Sequence, residues 1–447
     1  MSYQERLNRV IPGGAHTYSR GADQFPSNAP AILARGEGAY VWDAEGRRYL
    51  DYGMGLRAVT LGYAHPQVNA AAVRQIGLGN NLTRASLVEL EAAEMLVNLI
   101  PSMEMVKFAK NGSNVTTAAV KIARAYTGRP YVCVPRQQPF FSFDDWFIGT
   151  TSLQRGIPPG AAAQTLLFDY NDLESLRKHF AEHPGQIAAV MMEPATTLVP
   201  NPFDPAALNA EKPAPQLGGH FLSHVRALCR REGALFILDE MITGFRWHLQ
   251  GAHTYFDIEP DICTFGKGMG NGFAIAAVGG RRELMEVGAI NKPGAERTFL
   301  LSSTHGGEMS SLGALIEVIN VYQEQDVCRQ LWKYGEQLKS GLLELARDAG
   351  LAQHFLIEGP DISLNYVTRD ETGQVSPKFR TLYAQEMLKN GVMMPWLAIS
   401  AAHGETELKV TLEAARAALL VYRRALDGGV ERYLEGPAVK PVFRQFN

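Results

Sequence analysis

Two continuous apolar runs, each ending in an acidic residue, constrain the fold of this chain more than any other feature. Ile187–Met192 is followed by Glu193, and the run at 234–238 is followed by Asp239 and Glu240. Neither run alternates polar with apolar residues, so each predicts a strand buried on both faces. A Pro-rich loop at 201–219 and an amphipathic helix at 220–231 are predicted between them. This order predicts an α/β fold with a mostly parallel central sheet covered by helices.

A third strand-like stretch leads into Thr264-Phe265-Gly266-Lys267-Gly268-Met269-Gly270-Asn271-Gly272, where one lysine lies among small residues. Small neighbours leave room for a bulky ligand, and burial favours the neutral, nucleophilic form of a lysine. In open α/β sheets the ligand crevice lies beyond the carboxyl ends of the strands, where Glu193, Asp239 and Lys267 all fall. We therefore predict a Schiff-base lysine at 267. The alternative is an ordinary lysine in a strand-to-turn connection.

The glycines after Lys267 do not form a dinucleotide-binding loop. Their spacing departs from GxGxxG, because Phe273 stands where the last glycine belongs. This argues against a nicotinamide-dependent dehydrogenase.

Asn111-Gly112-Ser113-Asn114 joins a short predicted strand to a predicted helix. A glycine at the turn, with Ser113 or Asn114 as the helix cap, leaves backbone N–H groups directed outward. Such groups at a helix N-terminus form a suitable seat for a phosphate. The alternative is a plain helix cap without a ligand.

Composition excludes several classes of function. The chain has 447 residues, of which 46% are hydrophobic and 20% charged, and its net charge is −3, so nothing indicates a nucleic-acid partner. The four cysteines form no CxxC and no metal-ligand spacing with histidine, so we expect reduced thiols and no metal site. The polar N-terminus and the lack of a membrane-length apolar run predict a cytoplasmic protein without a membrane partner.

The pattern of elements predicts the domain organisation. Residues 1–60 are predicted as an N-terminal arm and part of a small domain, with a hairpin formed by 38–43 and 48–51. Residues 61–310 are predicted as the large domain, which includes a helix at 87–100 with Leu87, Leu90 and Leu96 on its apolar face. Residues 311–447 are predicted as a small α+β domain completed by the N-terminal arm.

A pyridoxal phosphate enzyme needs a lysine that forms an imine, a carboxylate that keeps the pyridine nitrogen protonated, a phosphate seat and an aromatic ring stacked on the cofactor. Lys267, Asp239, the Gly112-Ser113 turn and Phe140 supply one of each. Further motifs accompany them in a characteristic order: Ile11-Pro12-Gly13-Gly14, Gly38-Ala39-Tyr40-Val41-Trp42-Asp43, Leu61-Gly62-Tyr63-Ala64-His65-Pro66, Leu238-Asp239-Glu240-Met241-Ile242-Thr243-Gly244-Phe245-Arg246 and Thr304-His305-Gly306-Gly307. With these motifs the sequence resembles, over nearly its whole length, the class III (fold type I) pyridoxal phosphate aminotransferases, with a pattern similar to glutamate-1-semialdehyde aminomutase.

The resemblance implies how the cofactor, pyridoxal 5'-phosphate, is held. Lys267 would carry the internal aldimine and Asp239 would pair with the pyridinium. The phosphate would be bound at the helix start that comprises Gly112, Ser113 and Asn114. Glu193 would lie near the ring hydroxyl.

Further expectations follow from the resemblance. Met241 would pack on the ring face opposite Phe140. Thr304 would reach the cofactor phosphate of the neighbouring subunit, which implies a homodimer with shared active sites. The chain departs from many relatives in having Phe140-Phe141-Ser142 in place of Tyr-His-Gly, Asn114 in place of an acidic residue and Met241 in place of valine.

Three functional interpretations are considered. The first is an aminotransferase that moves an amino group from a donor such as glutamate to an aldehyde or ketone, and the second is the aminomutase, in which the amino group returns to the adjacent carbon of the same molecule. The loop 302–308 is unlike the usual mutase loop, whereas 145–151 and 439–444 look like relatives that act on sugar-like or other secondary-metabolite carbonyls. The third is a non-catalytic binding protein, which the retention of Lys267 and Asp239 disfavours.

Candidate substrate residues are Arg20, Arg57 and Trp146. Arg20 matches the position where the mutase resemblance places a carboxylate-binding arginine, and guanidinium geometry suits that role. For each of the three, a surface or core role is the alternative.

Overall fold

A computed structural model of the chain describes residues 1–201 and 220–446. The predicted Pro-rich loop therefore lies, apart from Asn201, outside the described residues. Within the described ranges the chain divides into two compact units. One comprises Met1–His65 and Gln330–Arg444, and the other is built on Pro66–Arg329.

The strands are numbered in chain order. They are β1 Leu33–Glu37, β2 Tyr40–Asp43, β3 Arg48–Asp51, β4 Met105–Ala109, β5 Tyr131–Pro135, β6 Thr165–Phe168, β7 Ile187–Met192, β8 Leu235–Glu240, β9 Ile262–Phe265, β10 Ala276–Gly280, β11 Phe355–Glu358, β12 Asn365–Thr368 and β13 Val392–Met393.

The longer helices are numbered in the same way. They are α1 Tyr3–Val10, α2 Pro66–Gly77, α3 Leu87–Leu99, α4 Gly112–Thr127, α5 Leu173–Glu182, α6 Phe221–Glu232, α7 Met309–Gln325, α8 Val327–Asp348, α9 Pro377–Lys389 and α10 Glu405–Gly428. Short helical turns lie at Pro12–Gly14, Tyr18–Arg20, Ala22–Gln24, Met54–Arg57, Asp145–Ile148, Ala252–Tyr255, Lys267–Gly270, Arg282–Met285, Glu286–Gly288 and Val430–Arg432.

The unit built on Pro66–Arg329 contains a seven-stranded sheet in the order β4-β10-β9-β8-β7-β5-β6. Neighbouring strands pair in parallel except at β10, which runs antiparallel to β4 and β9. Every residue of β7, β8, β9 and β10 is buried, as expected for strands covered on both faces. The predicted mostly parallel central sheet, with β7 and β8 at its centre, is thereby confirmed.

The other unit combines short sheets with helices. The order β1-β2-β3-β13 forms one sheet, in which β2 and β3 make the predicted antiparallel hairpin and β13 joins β3 in parallel. β11 and β12 form a separate antiparallel pair, and α9 packs against α10. The boundary between the units falls near the start of α8, so α7 belongs with the central sheet, whereas the sequence placed the division at 310.

Helix α3 ends at Leu99, one residue before the predicted end, and its predicted apolar face was right at Leu96 but wrong at Leu87 and Leu90. Leu87 and Leu90 are 71% and 55% exposed, whereas Val88, Ala92 and Leu96 are buried. The buried side faces α7. The sequence could not reveal this, because apolar residues occur all round the helix and only the position of its neighbour selects the buried side.

Among the helices of the described residues, none combines the length and hydropathy needed to cross a bilayer. Within 1–201 and 220–446, no group of three or more His, Cys, Asp and Glu side chains is arranged to hold a metal ion.

Candidate active site

Asp239 and Lys267 come from neighbouring parallel strands of the central sheet. Asp239 lies near the carboxyl end of β8 and is paired in register with Thr264 of β9, and Lys267 follows β9. Asp239 is 2% exposed. Its Oδ1 accepts hydrogen bonds from the Thr264 hydroxyl and from the Met241 N–H, both at 3.0 Å. Because both bonds go to Oδ1, Oδ2 is the oxygen to which a ligand N–H can be directed.

The electrostatics of Asp239 are those of a buried carboxyl beside a cation. Burial raises its pKa to about 6, although the nearby charge of Lys267 and the two hydrogen bonds act in the opposite direction. The effect of Lys267 on this pKa places the two side chains within electrostatic range of each other. A carboxylate that is still penalised by burial is stabilised further by a cationic or N–H donor group that binds beside it.

The backbone of Lys267 has a conformation that few lysines adopt. Its φ is +46°, in the left-handed region, and it opens the short helical turn that Asn271 closes with a φ of +44°. Such a conformation costs on the order of 1–3 kcal/mol and persists only where the surrounding structure imposes it. Strain of this kind is concentrated at functional sites, which supports the prediction for Lys267.

Two glycines and Met241 form a tight cradle next to Asp239. A Cβ added to Gly266 would lie 2.6 Å from the Met241 sulfur, and a Cβ added to Gly112 would lie 3.0 Å from the same atom. The cradle therefore brings Gly112 of the predicted phosphate seat and Gly266, the residue before Lys267, against the same Met241 side chain.

The phosphate seat is the first turn of α4. The sequence named Ser113 or Asn114 as its cap, but the structure has Asn111 there, with its Oδ1 accepting from the Asn114 N–H at 3.0 Å. Because the Asn114 N–H is used by the cap, the N–H groups of Gly112 and Ser113 are the first-turn donors left for a phosphate. The Ser113 hydroxyl accepts from the Phe143 N–H at 3.0 Å and fixes the following loop.

The loop that carries Phe140 is held against α4. The Thr116 hydroxyl donates to the Phe141 carbonyl at 2.8 Å. Phe140 is 48% exposed, with its ring edge-on to Phe147 at 6.2 Å between centroids. An exposed ring at this place is free to contact a ligand, and its stacking on the cofactor stays a prediction.

Glu193 is fixed by a residue that the sequence analysis missed. Gln138 is buried, its Nε2 donates to the Glu193 carbonyl at 2.9 Å, and its Oε1 accepts from the Glu193 N–H at 2.7 Å. Thr264 was missed as well, although its register opposite Asp239 could have been inferred by aligning the two predicted strands. No sequence signal indicated Gln138, since its partner is a backbone group distant along the chain.

Thr304 lies in an exposed segment next to a partly buried ion pair. Its carbonyl accepts from Asn81 at 3.2 Å. Lys110 and Glu308 pair at 2.6 Å. Burial alone would raise the pKa of Glu308, but the hydrogen bonds from Lys110, Ser310 and Asn80 outweigh it and lower that pKa to about 2. The contact of Thr304 with a neighbouring subunit stays a prediction.

The candidate substrate residues lie in different surroundings. Trp146 is buried in the hydrophobic cluster of the central-sheet unit, where its indole N–H donates to Thr117 at 2.9 Å. Arg20 is exposed, and its charge lowers the otherwise raised pKa of Tyr63. Arg57 ends the turn Met54–Arg57 and has a φ of +66°. The roles of all three on a substrate stay predictions.

The residues brought together fit pyridoxal 5'-phosphate. Asp239 supplies a buried carboxylate for a ring nitrogen, Lys267 an amine within its electrostatic range, and the start of α4 an anion seat. The cradle is narrow enough that a Cβ on Gly112 or Gly266 would press on Met241.

Comparison with known proteins agrees with this geometry. The chain matches the class III aminotransferase family over residues 21–157 and 161–395. It is similar to a glutamate-1-semialdehyde 2,1-aminomutase from Thermomicrobium roseum, with 34% identity over 438 residues covering 94% of this chain and 97% of the relative. A protein of the same name from Desulfitobacterium hafniense is 31% identical over 430 residues, covering 92% of this chain and 95% of that one.

Solved structures show the same fold. The pyridoxal phosphate internal aldimine form of the FumI protein from Sphingopyxis sp. MTA144 has a TM-score of 0.82 and 28% identity, covering 95% of this chain and 97% of that chain. An omega-transaminase from Sphaerobacter thermophilus has a TM-score of 0.79 and 25% identity, covering 94% and 97%. The predicted fold type I architecture and the predicted cofactor are confirmed. The chain belongs to the class III aminotransferases, a family of pyridoxal phosphate-dependent enzymes.

Proposed function

We propose that this enzyme is a transaminase that moves an amino group from a donor such as glutamate to an aldehyde or ketone, with sugar-like or other secondary-metabolite carbonyl compounds as acceptors. The observation that carries the proposal is the buried Asp239 carboxyl within the electrostatic range of Lys267, beside the glycine cradle. Transamination needs both groups at one cofactor ring, the lysine amine at the aldehyde carbon and the carboxylate at the ring nitrogen.

The residues have separate tasks in this proposal. The bound cofactor supplies an electron-accepting ring and a reactive aldehyde carbon. Lys267 Nζ attaches the cofactor, and in the neutral form it accepts and returns the proton that moves during transfer. Asp239 keeps a proton on the ring nitrogen through Oδ2, while Thr264 and Met241 hold Oδ1. Gly112 and Ser113 bind the phosphate through their backbone N–H groups.

Further residues complete the cofactor site in this proposal. Met241 and Phe140 contact opposite faces of the ring, and Glu193 lies on its hydroxyl side, fixed by Gln138. Asn114 contributes through the cap of α4. Thr304 reaches the cofactor phosphate of a second copy, so the working form is a homodimer with shared active sites.

The second candidate function is glutamate-1-semialdehyde aminomutase. The names of the two curated relatives favour it, at 34% and 31% identity over more than nine-tenths of the chain. In that reaction Arg20 would bind the substrate carboxylate. Arg57 and Trp146 have no specific role that distinguishes the two reactions.

One incubation separates the two reactions. With glutamate-1-semialdehyde as the sole substrate, a mutase forms 5-aminolevulinate at its full rate, because donor and acceptor are the same molecule. We expect slow or no formation, and full turnover only when a separate amino donor and carbonyl acceptor are supplied. Rapid 5-aminolevulinate formation would establish the mutase instead.

A substitution tests the cofactor attachment that both reactions require. Lys267→Ala should abolish turnover and the cofactor that borohydride traps on the chain. Lys121→Ala is the matched control, since Lys121 lies on the exposed side of α4, where its amine donates to the Phe299 carbonyl. Normal turnover by Lys267→Ala would refute the assignment, and a colourless wild-type protein that binds no cofactor would support a non-catalytic protein.

A further inference from the structure

A connected set of buried polar side chains lies behind Asp239 and has no task in the proposed function. It comprises Glu240, His253, Ser102 and Cys263, all within the central-sheet unit. None of these side chains belongs to the cradle or the phosphate seat. The carboxylate of Glu240 and the imidazole of His253 are thus buried directly beside Asp239.

Glu240 is the immediate neighbour of Asp239 on β8, and its side chain points to the opposite face of the sheet because successive strand residues alternate. It is fully buried and accepts four hydrogen bonds. The donors are the Thr243 hydroxyl at 2.5 Å, the Ala252 N–H at 2.9 Å, the His253 N–H at 2.8 Å and His253 Nδ1 at 3.0 Å. Four donors on one buried carboxylate fix its position closely.

The carboxylate of Glu240 stays ionised. Burial by itself would raise its pKa, but the hydrogen bond and charge of His253, with the bonds from Thr243 and Ala252, bring the pKa below its ordinary value. The charge of Glu240 in turn raises the pKa of Asp239. His253 is therefore a hydrogen-bond partner that stabilises the ionised Glu240 directly beside Asp239.

His253 also connects the strands that carry the two key residues. Its Nε2 lies 3.2 Å from the Ser102 hydroxyl, which lies 3.7 Å from the Cys263 sulfur. Cys263 directly precedes Thr264 on β9. The chain of contacts thus runs from Glu240 through the imidazole of His253 and the Ser102 hydroxyl to Cys263, the residue before Thr264.

The geometry of Asp239 depends on this connection. One of its hydrogen-bond donors is Met241, directly after β8, and the other is Thr264 on β9. A shift of β8 against β9 would change the direction of Oδ2 without breaking either strand. The side chains of Glu240 and His253 are tightly packed, because a Cβ added to Gly251 would lie 2.6 Å from His253 Nδ1 and 3.0 Å from Glu240 Oε1.

We propose that His253 is a positioning residue for Asp239, which acts through Glu240 on one side and through Ser102 on the other to hold the carboxylate directed at the cofactor ring nitrogen. The proposal rests on the role of Asp239 in the proposed function. It assigns a task to residues that touch neither cofactor nor substrate.

The test is a double-mutant cycle on cofactor affinity, which needs no turnover. Apoprotein is titrated with pyridoxal 5'-phosphate, and the dissociation constant is measured for wild type, His253→Leu, Asp239→Asn and the double variant. We expect His253→Leu to weaken binding about tenfold in wild type and less than about twofold in the Asp239→Asn background. His253→Gln, whose amide can donate to Glu240 and accept from Ser102, should restore most of the affinity.

A merely structural histidine would give a different pattern. His220 is a matched control, because it is buried in the same unit and contacts the Phe256 carbonyl at 2.9 Å, away from Asp239. His220→Leu should lower the melting temperature without a specific loss of cofactor affinity. Equal losses from His253→Leu in both backgrounds, or no loss in wild type, would overturn the proposal.

Two further outcomes are distinguishable. If His253→Leu does not fold, Ser102→Ala carries the same cycle with a smaller expected loss, and equal losses in the two backgrounds would again overturn the proposal. An Asp239→Asn variant that binds cofactor as wild type does would refute the role of Asp239, and the role of His253 with it. If Asp239→Asn weakens cofactor binding but His253→Leu causes the same loss of affinity in both backgrounds, the role of His253 alone would be refuted.

Discussion

Replacing Asp239 by Asn should make the cofactor-free protein more stable while weakening the site. The pKa of Asp239 is about 6 in the folded chain, against an ordinary value of 3.8, because burial and the charge of Glu240 disfavour ionisation more than Lys267 favours it. At pH 8 this difference corresponds to about 3 kcal/mol of lost stability. Asparagine removes the charge, and its side-chain oxygen can still accept the two hydrogen bonds that Oδ1 accepts.

The sign of the pH dependence follows from the raised pKa. Below about pH 3.8 the carboxyl is protonated in both the folded and the unfolded chain, so no penalty exists there. The penalty grows as pH rises and is complete above pH 6, with about 1.6 kcal/mol present at pH 5. The stability gain of Asp239→Asn should therefore be about twice as large at pH 8 as at pH 5.

Thermal denaturation of the cofactor-free wild type and Asp239→Asn variant at pH 5 and pH 8 measures this gain in stability. One kcal/mol shifts the melting temperature of a domain of 150–250 residues by about 2–4 °C, so an increase of several degrees is expected at pH 8. Asp261→Asn is the contrasting control, because Asp261 is buried but paired with Arg226 and Arg281 at 3.1 Å each, and its loss should destabilise the protein. A lower melting temperature for Asp239→Asn at pH 8, or a gain of equal size at both pH values, would refute the reasoning.

Two other substitutions test the surroundings of the site. Gly266→Ala should cost about 1–3 kcal/mol by pressing on the Met241 sulfur, and Met241→Ala in the same chain should recover most of the loss in thermal denaturation. Lys110→Met should cost about 1–3 kcal/mol at pH 7, because Glu308 is left without its cation. Since the pKa of Glu308 is lowered to about 2, this loss should shrink as pH falls from about 4.5 toward 2. Lys107→Met, at an exposed position of β4 three residues before Lys110, should change little.

The central sheet could be predicted from the sequence because strands that are buried on both faces require a recognisable pattern of residues. β7 and β8 are buried on both faces, so each needed a continuous apolar run, and a continuous run of that length has few other uses. The acidic residues that end these runs could be placed at the carboxyl edge for the same reason. Lys267 could be assigned to the same edge in this way, whereas the pairing of β8 with β9, which makes Asp239 and Lys267 neighbours, is known only from the structure.

The contacts that fix the side chains could not be predicted in this way. Asn111, Ser113 and Asn114 can each cap a helix, and their order alone does not decide which one does. Gln138 contacts the backbone of Glu193, and no side-chain pattern records such a bond. These choices depend on where distant elements lie, which one sequence does not contain.

Backbone strain marks the places where local preference and structure disagree. Lys267 has a left-handed φ, and so do the three non-glycine residues Met54, Leu56 and Arg57 of one short turn. That turn is held by Asp51, whose carboxylate accepts from the N–H groups of Gly53 and Met54 at 2.8 Å each. No propensity predicts a left-handed lysine or leucine, since each such residue costs on the order of 1–3 kcal/mol that neighbouring contacts must offset.

The same conflict distinguishes Asp239, whose charge is buried at a cost that a neutral residue would avoid. A chain selected only for stability would carry asparagine there and glycine at 267, because both substitutions relieve a penalty in the cofactor-free protein. Both unfavourable features lie at the carboxyl edge of the same sheet, Asp239 on β8 and Lys267 just after the neighbouring β9. Their coincidence is therefore independent physical support for a functional site at this edge, in addition to the family relationship.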